Sequence, residues 1–211
     1  MKAGKFIRKY NHIWTLLYIV FYMPWFMWLE KTVTTDFHLV SMPIDYKIPF
    51  CEYFIIPYFM WFLFVPAIVG YEFFYSKKEY YQCCAYLFSG MTIFLIICTI
   101  WHNGLDLRQD ISYNNNLCAK LVKMLYKTDT STNVFPSLHV FNTLGCLVAL
   151  YRSKGMKDKT WKVIATIIGI LIILSTMFLK QHSVWDVIGA FALAAILYPI
   201  VYVIPWGRKK Q

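Results

Sequence analysis

An all-α integral membrane protein, a bundle of six transmembrane helices with both termini cytoplasmic, is the fold class this sequence predicts. Three observations predict it. Of 211 residues, 59% are hydrophobic and 19% aromatic against 15% charged, more apolar material than a soluble domain of this length carries. The apolar residues fall in six long blocks rather than in an amphipathic rhythm. The lysines and arginines crowd into alternate connections between those blocks.

The blocks justify themselves in order. The first, Ile13 to Leu29, follows a basic start and resembles a secretory signal. No small-residue cleavage site follows it, and Trp25, Trp28 and Glu30 stand where one belongs, so it reads as an uncleaved helix. The second, Tyr53 to Tyr71, and the third, Tyr81 to Trp101, have the length of a span, about 20 residues for a bilayer core. The fourth, Ser137 to Tyr151, is the shortest; it spans only if the bilayer thins or if Phe135 and Arg152 extend it. The fifth, Trp161 to Leu179, and the sixth, Val184 to Val203, are again full length. Prolines at 24, 57, 66 and 199 are compatible with membrane helices whose neighbours satisfy the freed carbonyls.

Charge sets the orientation. With the N-terminus inside, 14 of the 21 basic residues lie on inner segments: Lys2, Lys5, Arg8, Lys9, then Lys77 and Lys78, then the run from Arg152 to Lys162, then Arg208 to Lys210. The outer side keeps Lys31, Lys47, Arg108, Lys120, Lys123, Lys127 and Lys180. The net charge of +10 is therefore topological; the basic ends suit anionic lipid headgroups, and nothing separate supports nucleic-acid binding. Short length and the lack of a targeting segment fit a bacterial cytoplasmic membrane.

Residues 1–211 read as one domain, with no repeat, low-complexity tract or linker. Two long connections, about 30–52 and 102–136, both fall on the outer side, and long loops of this kind tend to carry function. The second holds "LCAKLVKMLYK", Leu117 to Lys127, with apolar residues at helical spacing: a short helix lying on the membrane surface or packed on the protein itself. Of six cysteines, Cys83, Cys84, Cys98 and Cys146 lie in or near helices as small packing residues, while Cys51 and Cys118 fall on outer segments where a bridge is open to them. No metal-ligand spacing occurs.

Three polar groups gather at the outer ends of the helices: "NGLDLRQD" at 103–110, "FPSLHV" opening the fourth block, and "STMFLKQHSVWDV" at 175–187. In the third, Asp186 lies one helical turn from His182, where it can fix the imidazole tautomer and leave the other nitrogen as a nucleophile. In the second, Pro136 suits the first turn of a helix, and Ser137 with the free amides after it forms an anion seat beside His139. His139 would then give a proton to a leaving oxygen. Arg108 and Lys180 add cations suited to phosphate. Each group alone fits a helix cap, a solvated pair or interfacial snorkelling; their coincidence on one face points to a site.

The set resembles the type 2 phosphatidic acid phosphatase superfamily, a six-helix family with motifs Lys-x6-Arg-Pro, Pro-Ser-x-His and Ser-Arg-x5-His-x3-Asp. Pro136, Ser137, Leu138 and His139 match the second in full. The third keeps Ser175, His182 and Asp186 but has Thr176 for the arginine; the first keeps Arg108 but has Trp101 for the lysine and Gln109 for the proline. The motifs lie within about residues 101–190.

The resemblance implies that His182 attacks phosphorus to form a phosphohistidine. Asp186 orients it, and His139 protonates the leaving group. Arg108, Ser137 and Ser175, with Lys180 replacing a lost cation, hold the phosphate. No cofactor or metal is required. Three readings follow. The leading one is a phosphatase for a lipid phosphate or polyprenyl diphosphate in the bilayer. The second is a headgroup phosphotransferase with a lipid alcohol acceptor, since "FLKQHSVWDV" is similar to the inositol phosphotransferase branch; a phosphocholine-transferase-like activity belongs to the same reading. The third is a non-catalytic lipid-phosphate-binding protein.

Overall fold

The computed structural model describes residues 9–204. The basic residues expected at the extreme termini (Lys2, Lys5, Arg8, Arg208, Lys209 and Lys210) lie outside the described residues. Among those described, seven α-helices carry the fold: α1 (Tyr18–Thr32), α2 (Ile55–Tyr75), α3 (Lys77–Ile100), α4 (Leu117–Thr128), α5 (Leu138–Arg152), α6 (Lys159–Phe178) and α7 (Val184–Tyr198). A 3-10 segment, Asn11–Leu17, leads into α1, and a π-helical turn, Pro199–Val203, extends α7.

Five stretches are long and apolar enough to cross a membrane: Asn11–Thr32, Glu52–Tyr75, Lys77–Ile100, Lys159–Phe178 and Val184–Val203. The fourth sequence block differs. Helix α5 has 15 residues, a length of about 22 Å against a hydrocarbon core of about 30 Å. Its shortness has a visible cause. The chain before it, Thr132, Asn133, Val134 and Ser137, is buried in the bundle without being helical. Such chain is tolerated among membrane helices only where protein satisfies its backbone. Asn103 supplies that: its Oδ1 accepts the N–H groups of Val134 (2.9 Å) and Phe135 (2.8 Å), and its carbonyl accepts that of Asn133 (2.7 Å).

Helix α5 is the hub, packed against α2, α3, α6 and α7. Phe141, Cys146 and Leu150 of α5 join Tyr86 and Leu87 of α3, Ile172 of α6 and Ala190 of α7 in the largest core cluster. Close approach needs small residues, as expected between membrane helices. A Cβ on Gly90 would fall inside the ring of Phe141, which is fully buried. Gly90→Val is expected to lower stability by about 1–3 kcal/mol through overpacking, read as a lower Tm in detergent.

Helix α4 settles one open choice. Ala119, Val122 and Leu125 are buried against Ile55, Tyr58, Ile111 and Leu179, so the helix packs on the protein, leaving Leu117 and Met124 exposed. All six cysteines are unpaired, Cys51 and Cys118 among them.

The first long connection is strapped across the bundle end. Residues His38–Leu39 (β1) pair in parallel with Asn103–Gly104 (β2). Asp45 is buried and accepts from Met42 N–H, Ser183 hydroxyl and Val184 N–H. It thereby places a carboxylate at the N-terminus of α7, where the helix dipole favours it. The short basic connections, with Lys77, Lys78 and residues 152–162, lie at the opposite end of the bundle.

Candidate active site

The site forms where the N-termini of α5 and α7 meet. The Ser137 N–H donates to the Asp186 carbonyl (3.1 Å), tying the two helix starts together. His139, the second residue of α5, lies between the rings of Tyr58 (4.6 Å between centroids) and Trp61 (4.5 Å). Its Nε2 has no partner in the protein. Across from it, 5.7 Å between ring centroids, is His182.

His182 and Asp186 do not share a helical turn in the way their spacing suggests. His182 precedes the helix, Ser183 is the cap, and Asp186 closes a capping box by accepting the Ser183 N–H (2.8 Å). The same carboxylate oxygen lies 3.4 Å from His182 Nδ1. That is long for a hydrogen bond. The His182 N–H donates to the Thr176 carbonyl (3.1 Å), which fixes the turn between α6 and α7. Burial pushes the His182 imidazole down to about 3; a hydrogen bond to the Val134 backbone opposes this and the positive Arg108 adds to it. The ring is therefore neutral at ordinary pH, the form a nucleophile requires.

Arg108 uses its guanidinium on the protein. Nη1 donates to the carbonyls of Tyr126 (3.0 Å) and Asp129 (2.9 Å), and Nη2 to the Thr130 carbonyl (2.7 Å) and Gln181 Oε1 (3.1 Å). Of five donors, only Nε–H is left without a partner. The planar group also stacks on Tyr126, 4.8 Å from the ring centre.

The other expected phosphate contacts are occupied by structure. Ser137 is fully buried and its Oγ caps α5 by accepting from Val140 N–H (3.4 Å). Pro136 stands outside the helix, ahead of that cap. The Ser175 hydroxyl donates to the Ile172 carbonyl (2.6 Å) within α6. Lys180 is buried with positive φ (56°), and its ammonium donates to the carbonyls of Asp45 (2.6 Å) and Ile48 (2.5 Å). The structure thus brings together His139, His182, Asp186 and Arg108, and places Ser137, Ser175 and Lys180 in the frame around them.

Both histidines open on a cavity of about 360 Å³. Its wall includes residues that local spacing did not reveal: Glu30 from the end of α1, Asp129, Asn133 and Gln181. Glu30 accepts from the Thr130 hydroxyl (2.5 Å) and from Asn133 Nδ2 (2.9 Å). Burial pushes the Asp129 carboxyl up to about 6, helped by the nearby Glu30 and opposed by Arg108 and Tyr58. Gln181 had a signal in the sequence, since it adjoins His182; Glu30 had only its position at the end of an apolar block.

The two facing histidines, one beside a carboxylate, thus sit in a helical bundle with five helices long and apolar enough to cross a membrane. The PAP2 superfamily model matches residues 58–210, most of the chain and all of this site except the first helix and loop. The chain belongs to the PAP2 superfamily, the type 2 phosphatidic acid phosphatases, and at the family level its chemistry is that of phosphatases acting on lipid phosphates. No curated protein and no solved structure matches it.

Proposed function

We propose that this chain transfers the phosphoryl group of a lipid phosphate or polyprenyl diphosphate to His182 and hydrolyses the resulting phosphohistidine, without a metal. The observation that carries this reading is the neutral, buried His182 with Nδ1 toward Asp186, facing His139 across a cavity. In the reactive tautomer Nδ1–H is turned to the carboxylate and Nε2 carries the lone pair. That pair forms the N–P bond as the P–O bond to the leaving group breaks, and His139, entering the step as the imidazolium, delivers a proton to the departing oxygen and becomes neutral. Water then displaces His182 from phosphorus, returning a proton to His139. The Arg108 charge, held behind the cavity wall on protein oxygens, supports the equatorial oxygens at longer range. Ser137, Ser175 and Lys180 act through the backbone they hold.

The site lies at the bundle end opposite Lys77, Lys78 and the basic 152–162 connection, which supports an extracytoplasmic active site in a cytoplasmic membrane. A second reading, release of the phosphoenzyme to a lipid alcohol, is favoured by the aromatic wall of the cavity, where Tyr22, Phe26 and Phe94 offer an apolar acceptor a path.

Mixed micelles of several lipid phosphates, with chelator and with or without diacylglycerol, test both. Phosphate release that survives chelator supports the hydrolase. A new phospholipid without free phosphate moves the protein to the transferases. Lipid binding with silence in both channels leaves a binding protein.

A further inference from the structure

The cavity's charge does not suit a simple phosphate monoester. No lysine or arginine among the described residues lines it, whereas Glu30 and Asp129 both do. Glu30 has only neutral donors, a hydroxyl and an amide. Among the described residues the one close acid–base pair is His182–Asp186, so Glu30 makes no close ion pair and Arg108 acts on it only at longer range. Arg108, the nearest positive group, is turned onto four protein oxygens. A half-buried carboxylate facing a cavity with no cation in its wall would gain from a ligand cation.

Two buried amides give the cavity a direction. Asn133 donates through Nδ2 to Glu30, which leaves its Oδ1 as an acceptor without a partner beside that carboxylate. Gln181 accepts through Oε1 from Arg108, which leaves its Nε2 as a donor without a partner beside His182. Both side chains are more than nine-tenths buried, Asn133 at 6% and Gln181 at 5% exposure, and both line the cavity. One end thus asks for a donor and positive charge, the other for an acceptor and negative charge. The ends are close: Asn133 holds Glu30, and Asn133, Gln181 and His182 all line the one cavity. Aromatic faces from Tyr22, Phe26, Tyr58, Trp61, Phe62 and Phe94 line the rest, and such faces attract cations.

We propose that the cavity seats an amine-bearing phospholipid headgroup, its phosphate against His182 and Gln181 and its ammonium against Glu30 and Asn133. The inference rests on His182 as the phosphoryl-accepting residue. A zwitterionic phosphodiester follows the same route. The N–P bond forms at His182, the P–O bond to the lipid backbone breaks, and that oxygen takes the His139 proton. Water or a lipid alcohol then displaces His182, giving a soluble phosphoamine or a new phospholipid.

The test compares phosphatidylethanolamine, phosphatidylcholine, phosphatidic acid and phosphatidylinositol in mixed micelles, with the wild type, Glu30→Gln and Asp129→Asn. The expected result is a kcat/KM for an amine lipid above that for phosphatidic acid, with the ratio reduced about tenfold or more in Glu30→Gln, chiefly through KM. Ethanolamine over choline would identify an N–H-bearing cation; the reverse would identify the aromatic faces as the main contact. Asp129→Asn, which leaves the Glu30 contacts in place, gives a smaller shift in the same direction and covers the case in which Glu30→Gln fails to fold. Preference for phosphatidic acid or phosphatidylinositol, unchanged by either variant, overturns the proposal. If the wild type turns over none of them, quenching of tryptophan fluorescence by each lipid separates the two ideas. Selective amine-lipid binding keeps the headgroup assignment while the catalytic reading fails; equal or anion-selective binding overturns the assignment.

Discussion

Replacing His182 with alanine is expected to abolish turnover, a loss on the order of 10⁶-fold, comparable to removing the nucleophile of other covalent catalysts. No other described side chain stands in the same relation to the cavity and to a carboxylate: His139 packs on Tyr58 and Trp61 with an unpartnered Nε2, and the close histidine–carboxylate pair is His182–Asp186. His139→Ala removes proton transfer alone and should slow the reaction by about 10²–10⁴-fold. Asp186→Asn keeps an oxygen for the Ser183 N–H but loses the negative charge that orients His182. Rapid quench with labelled lipid makes the assignment direct. The wild type accumulates label on protein that is stable in alkali and labile in acid, and His182→Ala accumulates none. Because burial holds the His182 imidazole near 3, its protonation leaves the acid side of the pH profile flat until close to that value. Full activity in His182→Ala would remove the mechanism.

Periodicity and local spacing made much of this molecule readable, and the places where they stopped are informative. Long apolar blocks locate helices because a lipid-facing helix is apolar on all sides, so α1, α2, α3, α6 and α7 were visible. Helix α5 was visible as a helix, but the irregular chain buried ahead of it was not, because its support comes from Asn103, some thirty residues away. The histidine–aspartate pair was legible from its spacing even though the helix begins between the two residues. Lys180 and Arg108 were legible as cations, but not their partners. Lys180 reaches a loop more than 130 residues earlier, and Glu30 meets Asn133 across 103 positions. Contacts over that separation are set by the packing of the whole bundle, which no local pattern encodes.

Arg108 carries the second large effect, and its geometry separates two roles that the motif leaves merged. As a phosphate ligand it would present a planar fork to the substrate. Here the fork is closed on four protein oxygens, three of them carbonyls in the last turn of α4 and the two residues that follow it. Arg108→Ala leaves those acceptors without a donor, at about 1–3 kcal/mol for each that water does not reach. It also removes the positive charge beside His182, where loss of one stabilising donor costs about 10²–10³-fold in rate. Stability and activity should therefore fall together, with new proteolytic cleavage in the 126–134 segment. Arg108→Lys keeps the charge, but three donors on one nitrogen cannot span four acceptors, so it should restore rate more than Tm. An unchanged Tm with a raised KM in Arg108→Ala would instead assign the residue to substrate alone. The clasp then has a mechanistic consequence. Since Gln181 is held by Arg108 and adjoins His182, the arginine fixes the neighbour of His182 and, through Asp129 and Thr130, part of the cavity wall with one group. The arginine of the first motif is thus coupled to the histidine of the third through the protein as well as through any bound phosphate.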